Sequence, residues 1–476
     1  MSSVARAVAL PRSRFFQAAG PPRTFAGEPL RRFLLVASAL LGLAVTLVLL
    51  AVIRGQQLSP NDEPAHADYA YQISHGVIPS KGSLIGPEIR YEWSCHGLGD
   101  SAQPGCDVLG GEFGAGVQDY TFGDPPVYYL TTGLMARWMS ALVPGDNQFI
   151  TFGRSIGVLW LFAAMIVLYL GLRRFRVGWQ TAATAAALLP LCPGVLAATS
   201  TVTSDAPAAL CGAVGVWLLA RIIVDRDLGW GLPVIATVLA TGTKILNGMP
   251  MIAVGCVAGV LAITAFRRGD RPGALRAARL SLAVGLSFLA VYIGWEIFQN
   301  GRGDPGWVNP NLPNGQPLNG SPVGDLLSNL FGVFQHLTTS YWLAPQINGE
   351  TVSIWATLLT VVLAAAPLMA MAVSRRRSWG WMLGLAAFVG VTAVSIAVQL
   401  EMFVENNEYF SLVSARYALS FLPWVIACLA VVAARRRLVK ASVVFVGLGT
   451  VVILLAETGV FTLGPALVDQ VTFLVG

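Results

Sequence analysis

The chain has 476 residues, of which 55% are hydrophobic and 12% are charged, and its mean hydropathy is +0.64. A water-soluble protein of this length needs more charge on its surface, so this composition excludes a soluble globular protein. The formal net charge of +6 reflects basic residues beside membrane segments and predicts no nucleic-acid partner. The sequence therefore predicts an all-α polytopic membrane protein.

Apolar stretches long enough to cross the hydrocarbon core, which takes about 20 helical residues, occur eleven times. Residues 1–32 precede them as a flexible basic cytoplasmic tail, and residues 33–476 form a single transmembrane domain. The predicted spans are roughly 33–53, 152–172, 180–199, 205–224, 230–246, 249–266, 279–298, 352–373, 379–399, 417–434 and 441–461.

A further apolar stretch, residues 126–143, is short and contains Arg137. If it does not cross the membrane, every basic cluster falls on the side of the N-terminus, as the positive-inside rule requires. We therefore predict an interfacial or re-entrant helix here, with the N-terminus inside and the C-terminus outside. Residues 54–151 then form a large, partly helical first outer loop, and residues 299–351 form a second.

The first outer loop opens on a stretch dense in charge, residues 58–72. Asp62 is a favourable helix N-cap and Pro64 suits a first helical turn, so a helix is expected to begin here. On that helix Asp62, His66 and Tyr69 share a face, because they are spaced by four and three residues. A carboxylate, an imidazole and a phenol then converge. The alternative interpretation is an acidic cap on a helix beside the membrane.

Three more polar residues stand out at the outer boundary. Asp124 precedes two prolines and two tyrosines, a pattern that suits a helix start at the membrane surface with tyrosines as anchors. Asp205 lies at the outer start of the fourth span, where an N-cap would sit. Lys244 lies at an outer turn against the positive-inside bias, which makes it a functional candidate or a side chain that snorkels to the interface.

Arg416 lies at the mouth of the tenth span, after Glu401, Glu405 and Glu408 and before Tyr417. It either pairs with one of these acids or binds an anionic substrate through its rigid set of five donors.

Six polar residues that stand out from the apolar sequence fall at the same membrane boundary: Asp62, His66, Asp124, Asp205, Lys244 and Arg416. An acid and a base beside cations suit a substrate with an anionic phosphate and a lipid tail that enters from the bilayer. The chain contains no Walker A, GxSxG or HExxH motif, which argues against nucleotide hydrolysis and Ser-triad hydrolysis.

Six cysteines are present, and four of them fall in apolar spans, where we expect small core residues: Cys192, Cys211, Cys256 and Cys428. Cys95 and Cys106 instead lie in the first outer loop. An oxidising compartment would let these two form a disulfide.

The order of these features resembles the GT-C glycosyltransferases, which use polyprenyl-phosphate sugars. Three segments resemble those of a large, mostly uncharacterised bacterial family of GT-C-like membrane proteins: Pro60 to His66, the Ser204–Asp205 turn, and Arg416–Tyr417 with Pro423. The resemblance covers most of the chain, and it implies an inverting glycosyltransferase of the cytoplasmic membrane whose active site faces outward.

The resemblance also implies roles for individual residues. The first-loop acid of GT-C enzymes is the general base, which matches Asp62 or its neighbour Glu63, and we assign Asp62. Arg416 and Lys244 would hold the donor phosphate. A divalent metal is left open, because Asp62 and His66 alone do not make a site.

The expected partners are a polyprenyl-phosphate sugar donor, membrane lipids and a glycan, lipid or protein acceptor. A composition rich in Ala, Gly and Arg suits an actinobacterium, where decaprenyl-phosphoarabinose would be a natural donor for arabinofuranosyl transfer. Two other functions stay open: a transporter or flippase of lipid-linked saccharides, which would favour internal repeats, and a non-catalytic assembly component.

Overall fold

The computed structural model describes residues 30–54, 57–59, 62–98, 118–143, 148–307, 315–317, 349–376, 378–406, 408–410 and 413–457. Sixteen α-helices lie within these residues. In chain order they are α1 Leu30–Arg54, α2 Glu63–Ser74, α3 Pro87–His96, α4 Val127–Leu142, α5 Phe149–Ser155, α6 Gly157–Arg174, α7 Trp179–Ala187, α8 Pro193–Ser200, α9 Ala208–Ile223, α10 Gly231–Thr243, α11 Met249–Arg267, α12 Arg271–Asn300, α13 Gly349–Val373, α14 Trp379–Asn406, α15 Leu422–Arg435 and α16 Val439–Glu457.

Short elements complete the described chain. Four 3₁₀ turns cover Tyr120–Gly123, Leu189–Leu191, Ile245–Gly248 and Ala415–Phe421. The strands β1 Gly315–Pro317 and β2 Glu408–Phe410 pair antiparallel, with Gln316 opposite Tyr409. Turns and irregular segments connect these elements.

Eight segments of the described chain are long and apolar enough to cross a membrane: Leu30–Ile53, Phe149–Arg174, Ile245–Arg267, Arg271–Asn300, Trp355–Val373, Trp379–Val404, Arg416–Arg435 and Val439–Ala456. The prediction of an all-α polytopic membrane protein is therefore confirmed.

The three other predicted spans are helical but differ from straight, full-length spans. The span expected at 180–199 is broken by 65° between Trp179–Leu191 and Pro193–Ser200, and as one bent span it would raise the number to nine. Pro193 supplies no backbone N–H to continue the preceding helix, which accounts for the break. The spans expected at 205–224 and 230–246 are shorter helices of 16 and 13 residues, α9 and α10.

The described residues pack around two hydrophobic cores. The larger core belongs to the helix bundle, and Trp424, Leu422 and Phe421 are among its fully buried side chains. The smaller core lies in what we call the cap, residues 57–59, 62–98 and 118–143, and continues into α5. Tyr69 and Tyr129 are completely buried in it. The described part of residues 54–151 thus packs around one core, which also includes Val202 and Ala206.

The C-terminal end of α12 holds the cap on the bundle. Gln299 donates a hydrogen bond to the Phe122 carbonyl at 2.9 Å, and Lys81 donates one to Asn300 at 2.7 Å. Trp295 donates to the Gly123 carbonyl at 2.8 Å. These bonds join two regions that lie more than 170 residues apart in the sequence, so the cap has a fixed place over the bundle.

The segment predicted as interfacial forms α4, which is not among the candidate spans of the described residues. One face of α4 packs on α2, and the opposite face leaves Leu134, Trp138 and Leu142 between 48% and 66% exposed. Arg137 is exposed, and its guanidinium donates a hydrogen bond to the Ser74 carbonyl. An exposed apolar stripe on a short helix fits a membrane interface, and the interfacial placement stays a prediction.

Of the cysteines expected in apolar cores, Cys192, Cys211 and Cys428 are buried. Cys256 is exposed on α11, so the expectation that it is a core residue is wrong. Cys95 is disulfide-bonded, and Cys106 lies outside the described residues, so their pairing stays a prediction. Most of the N-terminal tail and of the loop 299–351 also lies outside them.

Candidate functional site

The helix expected after the first span begins at Glu63, and Asp62 occupies its N-cap position. Asp62 has a φ of 67°, a left-handed conformation that is uncommon for residues other than glycine, and its side chain makes no capping bond. The expected capping role is therefore wrong. The carboxylate instead accepts a hydrogen bond from Tyr120 at 2.7 Å and pairs with Arg416 at 2.6 Å.

Arg416 continues a chain of charges into the bundle. Its guanidinium Nε lies 3.9 Å from Asp205 Oδ2, and Lys244 Nζ lies 2.7 Å from Asp205 Oδ1. The cations of Arg416 and Lys244 each lie 5.4 Å from the centre of the Tyr417 ring, within cation–π range. Residues from four distant parts of the sequence thus meet at one end of the helix bundle.

A close approach of two backbones brings Arg416 to Asp205. In α9, a Cβ atom on Gly212 would lie 1.9 Å from the Ser420 carbonyl, so only glycine allows the 3₁₀ turn of Ala415–Phe421 to lie against α9. Asp205 lies in the turn before α9, whose N-cap position is taken by Pro207. The N-cap position expected for Asp205 is therefore wrong, and the carboxylate is directed at Lys244.

His66 belongs to a second chain of polar contacts, which reaches the same site from α4. Its Nδ1 lies 2.7 Å from the Tyr129 hydroxyl, and that hydroxyl donates to Asp124 Oδ2 at 2.7 Å. Ser204 donates to the same oxygen at 2.7 Å. Tyr69 supports this chain, because its ring stacks on the Tyr129 ring with centroids 3.9 Å apart. The two tyrosines after Asp124 are thus buried, and their expected role as membrane anchors is wrong.

The approach of α2 to α4 depends on another glycine. A Cβ atom on Gly133 would lie 2.1 Å from the Ala70 carbonyl, so the two helices touch backbone to backbone there. Tyr129 lies one turn earlier in α4 and His66 one turn earlier in α2, and the contact brings their rings together.

Glu63, the alternative base, lies in a separate environment. Both of its oxygens bind Arg154, at 2.7 Å each, and they also accept the backbone N–H groups of Ser59 and Val202. The side chain of Glu63 is 0% exposed and that of Arg154 is 5% exposed. Each Glu63 oxygen therefore has two donors, which leaves little capacity for a substrate.

The charged cluster, defined as Asp62, His66, Asp124, Asp205, Lys244 and Arg416, has unused hydrogen-bonding capacity. Among the described residues, Arg416 Nη1 and Asp205 Oδ2 are buried atoms without a hydrogen-bond partner. Buried charged groups are usually hydrogen-bonded, so each of these two atoms can take a ligand or a water molecule, as can several other buried charged atoms of the described residues.

Two members of the charged cluster outside the spans have shifted pKa values. Burial alone would raise the pKa of Asp62, but the positive charge of Arg416 and its hydrogen bond outweigh this effect and lower the pKa to about 2. Burial lowers the pKa of His66 below its usual 6.5, although nearby Asp124 and Asp62 oppose the shift. At neutral pH the first group is a carboxylate and the second a neutral imidazole.

The described residues contain no group of three His, Cys, Asp or Glu side chains arranged to hold a metal ion. The structure shows Asp62 directed at Arg416 and His66 directed at Tyr129.

Arg154, Tyr120 and Tyr129 are the site residues that sequence reasoning missed. Arg154 lies inside a predicted apolar span, and a buried arginine there was itself a signal for a buried acid partner. The two tyrosines gave no signal, because their contacts bridge more than fifty residues of sequence.

A scan against protein-family models and a search of curated proteins find no match. A search of solved structures finds the crystal structure of ArnT from Cupriavidus metallidurans bound to undecaprenyl phosphate, with 15% sequence identity and a TM-score of 0.45. The match covers 83% of this chain and spans 59% of that chain. A likeness at this TM-score carries no argument here, so the resemblance to GT-C enzymes stays a prediction.

The fold and the site together define the class of protein. It is a helical polytopic membrane protein with a packed cap over one end of the bundle and a partly unsatisfied charged cluster beneath that cap.

Proposed function

We propose that the protein is a membrane glycosyltransferase of the GT-C type, which transfers a sugar from a polyprenyl-phosphate donor to a cell-envelope acceptor. The observation that carries this proposal concerns two buried atoms without a hydrogen-bond partner among the described residues, Arg416 Nη1 and Asp205 Oδ2. Their side chains are close together, with Arg416 Nε 3.9 Å from Asp205 Oδ2. A cationic N–H group requires an acceptor, and an anionic oxygen is the strongest; a carboxylate oxygen requires a donor, such as a hydroxyl. A sugar phosphate offers both groups next to each other.

The position of the charged cluster favours a lipid-linked form of such a ligand. α10 ends at Thr243 and α11 begins at Met249, so Lys244 lies in the turn between two apolar helices. Arg416 opens the candidate span Arg416–Arg435. A head group bound here lies at one end of the bundle, and its apolar tail can lie along exposed helix faces. The polyprenyl carrier itself comes from the family resemblance.

In this proposal Arg416 and Lys244 bind the donor phosphate, and Tyr417 lies beneath both cations. The acceptor hydroxyl attacks the anomeric carbon from the opposite side, which inverts the configuration, while the cations stabilise the departing phosphate. Of the two acids expected as base, Glu63 has saturated contacts, and Asp62 is the one that lies beside Arg416. Arabinofuranosyl transfer, the outward-facing site and the choice of glycan, lipid or protein acceptor stay predictions.

The test is a transfer assay with the full chain in lipid nanodiscs, supplied with a panel of polyprenyl-phosphate sugars. Arg416→Lys keeps the charge but loses the forked donor geometry, so donor affinity should fall by a factor on the order of 10 to 100. Arg137→Lys, in the cap but outside the charged cluster, is the matched control and should bind donor as the wild type does.

Two results would count against the proposal. Unchanged donor affinity in Arg416→Lys would remove the phosphate role. Absence of transfer with every donor, together with movement of a lipid-linked saccharide across reconstituted vesicles, would favour the transporter function instead.

A further inference from the structure

The proton acceptor of the charged cluster can be identified from the hydrogen bonds around His66. The Tyr129 hydroxyl has a single proton, and it donates that proton to Asp124 Oδ2. An ionised carboxylate only accepts, so the direction of this bond is fixed. The Tyr129 oxygen must therefore accept at its 2.7 Å contact with His66, and His66 Nδ1 must be the donor.

This chain determines the tautomer of His66. With its proton on Nδ1, the neutral ring has a free electron pair on Nε2. Nε2 has no hydrogen-bond partner among the described residues. Unlike Asp205 Oδ2 and Arg416 Nη1, it is not one of the fully buried atoms without a partner. His66, which is 4% exposed, thus offers one unprotonated ring nitrogen without a hydrogen-bond partner among the described residues.

Asp62 is a weaker candidate for the same task. Its two oxygens are engaged separately, one by Tyr120 at 2.7 Å and the other by Arg416 at 2.6 Å. A carboxylate that is ion-paired with a guanidinium is a weak proton acceptor. The pKa of Asp62, about 2, lies far below neutral pH. Its contact with Arg416 instead orients the cation that would face the donor phosphate.

We propose that His66 Nε2 is the general base of the transfer, and that Tyr129 and Asp124 are positioning residues that hold its tautomer. This inference rests on the glycosyltransferase function proposed above. As the acceptor oxygen bonds to the anomeric carbon, its proton passes to Nε2. The bond from the anomeric carbon to the phosphate oxygen breaks, and its electron pair stays on the phosphate. The imidazolium then releases the proton to water.

The charged groups around His66 agree with a base that is neutral at rest. Asp124 and Tyr129 face it from the α4 side, Asp205 from the turn before α9, Lys244 from the turn after α10, and Asp62 from the start of its own helix. The nearby carboxylates stabilise the imidazolium that forms during transfer, while burial keeps the resting pKa below 6.5. The base is lost as the pH falls through that lowered pKa.

The first test needs no activity. Full-length protein carrying histidine labelled with ¹⁵N at Nδ1 alone gives one ring signal for each of its four histidines. The His66 signal, assigned by its absence in His66→Asn, should show a protonated Nδ1 at neutral pH. Tyr129→Phe removes the acceptor and should shift this signal toward a mixture of tautomers. A bare Nδ1 in the wild type would overturn the inference.

The second test is kinetic. His66→Asn places an amide donor near the Nδ1 position but has nothing in place of Nε2, so kcat should fall by a factor on the order of 10² to 10⁴ with donor affinity unchanged. His75→Asn, at an exposed histidine that ends the same helix, is the control and should retain kcat. The wild-type kcat should show an acid limb below 6.5 and well above the pKa of about 2 of Asp62.

The outcomes separate this inference from the proposed function. Transfer by the wild type that survives His66→Asn, or a profile without an acid limb, overturns the role of His66 alone. Absence of transfer in the wild type overturns both the proposed function and the base.

Discussion

Asp62 and Glu63 are neighbours in the sequence, and each forms an ion pair with an arginine, yet the two pairs are built differently. Glu63 and Arg154 share two hydrogen bonds, and two backbone N–H groups complete the Glu63 carboxylate. Asp62 and Arg416 share one hydrogen bond and keep side-chain exposures of 23% and 14%. The first pair is complete within the protein, and the second leaves atoms for a ligand.

This difference indicates which charges stabilise the fold and which bind substrate. The buried Glu63–Arg154 pair joins the cap to α5. Because its hydrogen bonds are made within the protein, we do not expect it to exchange partners. The pair at Asp62 belongs to a chain of four charges in which Arg416 Nη1 and Asp205 Oδ2 lack hydrogen-bond partners among the described residues. Saturation of hydrogen bonds, more than the presence of charge, separates the two roles.

The largest expected effect comes from breaking the complete pair. Glu63→Gln leaves the Arg154 charge buried without its anion, which should lower the free energy of unfolding by about 3–5 kcal/mol. Asp62→Asn is the matched variant one residue away and should cost less, about 1–2 kcal/mol, because that pair is partly exposed and Asp205 stays beside the Arg416 cation. Thermal unfolding in detergent measures both. Equal losses would remove the distinction between the pairs.

An intermediate effect is expected from releasing Arg416. In Asp62→Asn the guanidinium loses the nearer of its two anions and keeps Asp205 at 3.9 Å, so a polyprenyl phosphate should bind up to about tenfold more tightly. The same ligand should bind more weakly to Arg416→Gln. Binding measured in nanodiscs checks both variants. Weaker binding by Asp62→Asn would show that Asp62 supports the ligand rather than competing with it.

The smallest effect concerns Glu92, which lies beside the complete pair. Burial raises its pKa to about 8, and the charge of Glu63 adds to this while Arg154 opposes it. In the unfolded chain the pKa of Glu92 is near 4.5. Between pH 4.5 and about 8 the folded state therefore keeps a proton that the unfolded state has lost. The free energy of unfolding should fall as the pH rises through this range. Glu92→Gln should flatten the decline. An unchanged pH dependence in this variant would assign the decline to another group.

Sequence patterns predicted the helices well where the signal was local. Runs of apolar residues located helices at all eleven predicted spans, and the charge before Pro64 located the start of α2. Breaks and shortening, as at Pro193 in the bent pair, leave the mean hydropathy of a segment unchanged and could not be read from hydropathy alone.

The candidate site was predicted as a set of residues but not as a set of contacts. The shared membrane boundary indicated that Asp62, Lys244 and Arg416 belong together. The partner of each charge depended on backbone contacts at Gly133 and Gly212, which join helices far apart in the sequence. For the same reason the sequence offered Arg416 only the glutamates of its own turn or an anionic substrate as partners, whereas the structure pairs it with Asp62, 354 residues away.

The most direct test of the account is a cryo-EM structure of the full chain in nanodiscs with a polyprenyl phosphate. The account predicts phosphate density in contact with Arg416 Nη1 and Lys244 Nζ, with Asp62 released from Arg416 and the Glu63–Arg154 pair unchanged. Phosphate density away from the charged cluster, or at the cluster only after the Glu63–Arg154 pair has opened, would contradict it.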